Sequence, residues 1–118
     1  MADPRYLPAV VIALPSEIDM ANASQVGQQL SSAHATGVRA VIADMSATTF
    51  CDSSGISVLV QAHKQAAANG TQLRLVVRST PVLRALTLVR MDQLLPIYPS
   101  LSQALAAAAE PGPPPRRE

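Results

Sequence analysis

Val38-Arg39-Ala40-Val41-Ile42-Ala43-Asp44-Met45 runs through Ser46 to Cys51 into Asp52-Ser53-Ser54-Gly55, and then into Ile56-Ser57-Val58-Leu59-Val60-Gln61-Ala62-His63-Lys64-Gln65-Ala66-Ala67-Ala68-Asn69-Gly70. The first segment is nearly continuous in apolar residues. That pattern predicts a strand over Val38 to Met45 with both faces buried, as in a parallel or mixed sheet. The last segment predicts a helix from about Ser54 to Asn69, stopped by Asn69-Gly70. Between them lie small hydroxyl residues. Such residues either cap a helix or offer a place for a phosphate, and the local sequence leaves both open.

The rest of the chain repeats the alternation. Leu7 to Leu14 reads as a first buried strand, with only Arg5-Tyr6 hinting at an earlier one, and Pro15-Ser16 turns the chain. A helix is expected over about Ala21 to Thr36, with Asp19 as its cap. Its apolar residues Ala23, Val26, Leu30 and Ala33 step by three or four onto one face. Gly37 supplies the permissive residue that ends it. Thr71 to Val77 is a third strand. Ser79-Thr80-Pro81 opens a short helix to Val89, with Ser79 or Thr80 as cap and Pro81 in the first turn. Leu94 to Tyr98 is a short last strand, placed at a sheet edge by Pro96. An Ala-rich helix follows over Leu101 to Ala109. Strands alternating with helices predict an α/β fold. We expect a four- to five-stranded mixed sheet with about four helices packed on it, over residues 1–109. The Pro-rich tail 110–118 is expected to stay outside the core.

Composition narrows the function. The chain has 118 residues, enough for one domain, and 48% of them are apolar. Aromatic residues make up only 3%, so the core must be built from Val, Leu, Ile, Ala and Met. A formal net charge of +1, with no basic stripe and few stacking aromatics, argues against nucleic acid as a partner. No apolar run reaches the roughly 18 residues of a membrane span. The segment Met1 to Arg5 lacks the basic and apolar regions of a signal peptide, so a cytoplasmic location is expected.

Catalytic chemistry finds little support. There is no phosphate loop, dinucleotide fingerprint, paired metal ligand or nucleophile elbow, and Asp52-Ser53-Ser54-Gly55 is not G-x-S-x-G. Cys51 is the single cysteine, so no internal disulfide or thiolate cluster can form, and it is expected to behave as a small buried hydrophobe at a strand end. His34 and His63 fall on predicted helices, facing solvent or the core edge. Asp44 stands alone at a strand end and reads as a turn residue. The chain is expected to be no enzyme and to need no cofactor.

The stretch Thr48-Thr49-Phe50-Cys51-Asp52-Ser53-Ser54-Gly55-Ile56, between a strand and a helix, resembles the signature of STAS domains. More narrowly, it resembles that of bacterial anti-sigma factor antagonists. Ser16-Glu17-Ile18-Asp19 stands where that family has Gly-Glu-Leu-Asp. Asn69-Gly70 matches its helix-ending Gly, and Ser79 to Leu86 matches the segment that opens its third helix. The resemblance covers about Val10 to Ala108. Ser16 departs from the usual Gly and Asp44 from a common Asn.

The resemblance implies a partner switch. Unphosphorylated, the protein would bind an anti-sigma factor that is also a serine kinase, freeing a sigma factor for transcription. Phosphorylation of Ser53 would release the partner, and a metal-dependent phosphatase acting on phospho-Ser53 would reset the switch. ATP and magnesium would belong to the kinase. Glu17, Asp19, Asp52, Ser53, Ser54 and Gly55 are the implied partner-binding residues. Within this set we expect Ser54 to cap the helix and Gly55 to let a partner backbone come close. Two other readings stay open here: a STAS interaction module used without phosphorylation, and a small-ligand or nucleotide-binding STAS domain.

Overall fold

The computed structural model of the protein describes residues 9–109. The tail from residue 110, the Arg5-Tyr6 hint of an earlier strand and the Leu7-Pro8 start of the expected first strand lie outside them. In chain order the elements are β1 (Val10–Ala13), β2 (Glu17–Ile18), α1 (Ala23–His34), β3 (Ala40–Met45), β4 (Phe50–Cys51), α2 (Ser53–Ala68), β5 (Gln72–Val77), α3 (Thr80–Leu88), α4 (Met91–Leu94), β6 (Ile97–Tyr98) and α5 (Leu101–Ala109).

Four strands form one sheet in the order β1-β3-β5-β6, and β2 and β4 form a separate two-stranded ladder. Every pairing among the described residues is parallel. Parallel neighbours need crossovers, and α1, α2 and the α3–α4 pair supply them. The expected α/β architecture is therefore present, with five helices among the described residues.

The continuous apolar character of β3 and β5 follows from burial on both faces. Val41, Ala43 and Met45 of β3, with Leu73, Leu75 and Val77 of β5, pack into the main core together with Leu30 of α1, Leu59 of α2 and Leu86 of α3. The alternate residues Ile42 and Val76 face the opposite side, where Ala104 and Leu101 of α5 cover them. On that side Arg74 donates to the Tyr98 hydroxyl and to the Gln72 side-chain carbonyl, with its guanidinium over the Tyr98 ring. β6 is an edge strand, as Pro96 requires. The Pro96 carbonyl still accepts from the Leu75 amide.

Three local expectations need correction. Asp19 does not cap α1, which starts one turn later, after Asn22. The Asp19 carboxylate instead accepts from the Ala21 amide, and the Asn22 side chain bonds back to the Asp19 amide and the Glu17 carbonyl. Leu94 closes a short helix, α4, rather than opening a strand; Arg90 enters it in the left-handed region at φ 63°. His34 does not face solvent. It is 1% exposed, and among the described residues neither ring nitrogen has a hydrogen-bond partner.

Burial pushes the His34 imidazole below its usual value of 6.5. The folded chain thus disfavours a proton that the unfolded chain accepts. The stability that depends on neutral His34 is complete above pH 6.5 and is lost as pH falls through the lowered folded value, at no more than ~1.4 kcal/mol per pH unit for one proton. Denaturant unfolding of wild type and His34→Leu between pH 7.5 and 5 should show the steeper acid loss in wild type. Equal slopes would mean that the side chain does not titrate through folding.

Candidate functional site

The site is built on the β2–β4 ladder. Glu17 pairs with Phe50 and Ile18 with Cys51. The Asp52 amide donates to the Ile18 carbonyl at 3.1 Å, which carries the register one step further and brings Asp19 alongside Asp52. Behind the ladder, the Thr49 amide and the Thr48 hydroxyl bond to the carbonyls of Ser16 and Pro15. Because side chains alternate along a strand, Ile18 and Cys51 point into the core while Glu17 and Phe50 face outward. Two segments far apart in sequence are thereby locked side by side, each ending in an aspartate.

Asp52 ends the ladder and begins α2. Its backbone is extended, and its Oδ1 accepts from the amides of Ser54 at 2.8 Å and Gly55 at 3.3 Å. Asp52 is therefore the helix cap, not Ser54. A carboxylate satisfies two of the amides left free at the helix start and lies favourably in the positive end of the helix dipole. Ser54 stands one residue inside the helix that Ser53 begins. Ser53 is exposed, and among the described residues its hydroxyl makes no hydrogen bond.

Gly55 has a different reason from the one expected. It is buried, and a Cβ there would stand 2.6 Å from Cys51 Sγ and 2.8 Å from Ile18 Cγ2. The glycine lets α2 descend onto the ladder inside this chain, so it offers no surface to a partner. Cys51 is half-buried beneath it, and burial, then the Asp52 charge, push its thiol up to about 11. The thiolate is scarcely populated at neutral pH. Asp44, at the end of β3, accepts from the Ser46 amide in the turn role expected of it.

Asp19, Met20, Ala21, Asp52, Ser53 and Ser54 line one open depression of about 650 Å³. Four of the six implied partner-binding residues meet here. Glu17 lies one ladder step away, exposed beside Phe50. Sequence reasoning missed Met20, which is 82% exposed on the hydrogen-bonded turn after β2, and Phe50, which is 49% exposed. The available signal was a large apolar residue between Asp19 and Ala21, off the apolar face of α1. Among the described residues no group of His, Cys, Asp and Glu is placed to hold a metal ion, and no helix is long and apolar enough to cross a membrane.

This arrangement of a four-stranded parallel sheet, a short side ladder and a serine at the start of the second helix can be compared with known proteins. A family model described as the STAS domain matches residues 2–104. The chain belongs to the STAS domain family. Among solved structures, this STAS domain is similar to an anti-sigma factor antagonist from Mycobacterium paratuberculosis, with 28% identity, 87% of each chain covered and a TM-score of 0.80. A putative anti-sigma factor antagonist from Thermotoga maritima matches at 22% identity and TM-score 0.78, over 87% of this chain and 89% of that one. The Bacillus cell fate determinant SpoIIAA in its phosphorylated form matches at 21% identity and TM-score 0.64, over 84% and 89%. The last two likenesses show the fold alone.

Two substitutions separate the roles within this STAS junction. Asp52→Ala should lower stability by ~0.5–2 kcal/mol through loss of the cap, whereas Ser54→Ala should change it little. Gly55→Ala should cost about 1–3 kcal/mol through overpacking, and Cys51→Ala in the same chain should return part of it. Urea denaturation of the four variants checks both statements.

Proposed function

We propose that this STAS domain is an anti-sigma factor antagonist switched by phosphorylation of Ser53. Unphosphorylated, it binds an anti-sigma factor that is a serine kinase, and a sigma factor is released for transcription. Phosphorylated, it lets the partner go, until a phosphatase removes the group. The reading places the protein in the cytoplasm and gives it no catalytic step of its own. ATP and its magnesium ion belong to the kinase.

One observation carries the reading. The Ser53 hydroxyl is exposed and, among the described residues, unbonded in an open depression, next to a residue that has already taken the capping position. A serine needed as a cap could not give up its oxygen without loss to the helix. Ser53 can, because Asp52 holds the amides. The family match and the likeness to anti-sigma factor antagonists support the same reading.

The electrostatics support release. A phosphoryl group brings about −1.5 to −2 charges at neutral pH. At many helix starts free amides would absorb part of that charge. Here the amides of Ser54 and Gly55 are engaged by Asp52, and Asp19 lines the same depression. The dianion is thus left facing outward among carboxylates. Placing it in a formed interface costs several kcal/mol through desolvation and repulsion. About 5.5 kcal/mol suffices to turn nearly complete binding into nearly none. The fold itself is not strained, since the group points away from the core.

The test is incubation of the protein with a purified serine-kinase anti-sigma factor and radiolabelled ATP. We expect one phosphate per chain, lost in Ser53→Ala and kept in Ser54→Ala, and loss of the complex once Ser53 is modified. Label that persists in Ser53→Ala, or a phosphorylated chain that binds as tightly as the unmodified one, would sink the reading.

A further inference from the structure

The residues implied as partner contacts are polar, and polar rims alone rarely carry an interface. Interface energy concentrates in a few apolar or aromatic anchors near the centre. The ladder presents two such side chains beside the acceptor serine. Met20 stands on the turn that follows β2 and lines the same depression as Ser53, with 82% of its surface in water. Its turn is fixed at both ends, by the Asp19 carboxylate on the Ala21 amide and by the Asn22 side chain on the Glu17 carbonyl. Phe50, the only phenylalanine of the chain, stands outward two residues before the cap, with 49% of its surface in water. Neither is needed by the core. Holding a methionine out on a hydrogen-bonded turn gains the monomer nothing.

We propose that Met20 and Phe50 are the apolar anchors of the partner interface, with the serine-kinase anti-sigma factor as the occupant; this rests on the antagonist reading above. The occupant follows from geometry and charge. Any phosphoryl donor reaching the Ser53 hydroxyl must enter the depression that Met20 lines, so the protein that carries the donor covers Met20. Glu17, Asp19 and Asp52 surround the pair, and among the described residues none of them is in an ion pair. The complementary surface is an apolar centre flanked by basic side chains. Methionine and phenylalanine supply contact area, and the carboxylates supply steering and register. The two contributions separate kinetically: anchors act mainly on dissociation, rim charges on association and its salt dependence.

The experiment measures binding of the unphosphorylated chain to a purified serine-kinase anti-sigma factor loaded with ADP, by surface plasmon resonance at two salt concentrations. Met20→Ser and Phe50→Ser should each weaken Kd about tenfold or more, mostly through faster dissociation. Met20→Leu should stay within about threefold of wild type. Asp19→Asn should instead slow association and reduce its salt dependence. Met20→Ser should melt at the wild-type temperature, as its exposure requires. Wild-type affinity in both serine variants would overturn the inference and leave the antagonist reading standing. No binding by wild type, with Ser53 left unlabelled, would overturn that reading and the inference with it.

Discussion

The Asp52 carboxylate is the constraint on which the site depends. It ends the β2–β4 ladder, and it fills the start of α2 by accepting from the Ser54 and Gly55 amides. One side chain thereby fixes where the helix begins, which serine is outermost, and how much positive potential is left for an added anion. Everything upstream serves to hold it in place. The Ile18 carbonyl receives its amide, the Ser16 carbonyl receives that of Thr49, and the absent side chain of Gly55 lets the helix settle on Ile18 and Cys51. Capping is local, but the register that aims this cap is long-range.

That division explains what could be read from the chain beforehand. β3, α2 and β5 were legible because each is long enough for its period, or its unbroken apolar run, to stand out. Ser79 before Pro81 announced α3, and the Ser79 side chain does accept from the Val82 amide. β2 and β4 were not legible. Two residues carry no period, and their pairing joins Glu17 to Phe50 across α1 and β3. Within Asp52-Ser53-Ser54-Gly55, three neighbours can all cap a helix, and only the position of β4 decides among them. The reason for Gly55 was equally hidden, because it is a contact with Ile18. The depth of His34 was not legible, because a single polar residue at a helix end gives no sign of its burial.

The same geometry accounts for the distribution of charge. Asp19 and Asp52 close the two strands of the ladder and share one depression, with Glu17 exposed one step back. The carboxylates place an acidic rim around a neutral hydroxyl, and among the described residues none of the three is in an ion pair. In the proposed switch such a surface meets the partner with a neutral serine. In that switch it responds when the serine becomes a dianion, because the amides of Ser54 and Gly55 are already engaged by Asp52. Ser53, the Asp52 cap and the exposed Met20 line that depression, and Phe50 stands beside Glu17 on the same ladder.

The central claim is that modification of Ser53 changes surface charge while Asp52 keeps the helix start intact. The most direct measurement is amide NMR with hydrogen exchange on the chain before and after stoichiometric phosphorylation of Ser53. The account predicts shift changes confined to residues 19–21 and 52–56, with exchange protection of the Ser54 and Gly55 amides retained. Shift changes spread through β3 and β5, or loss of that protection, would contradict it.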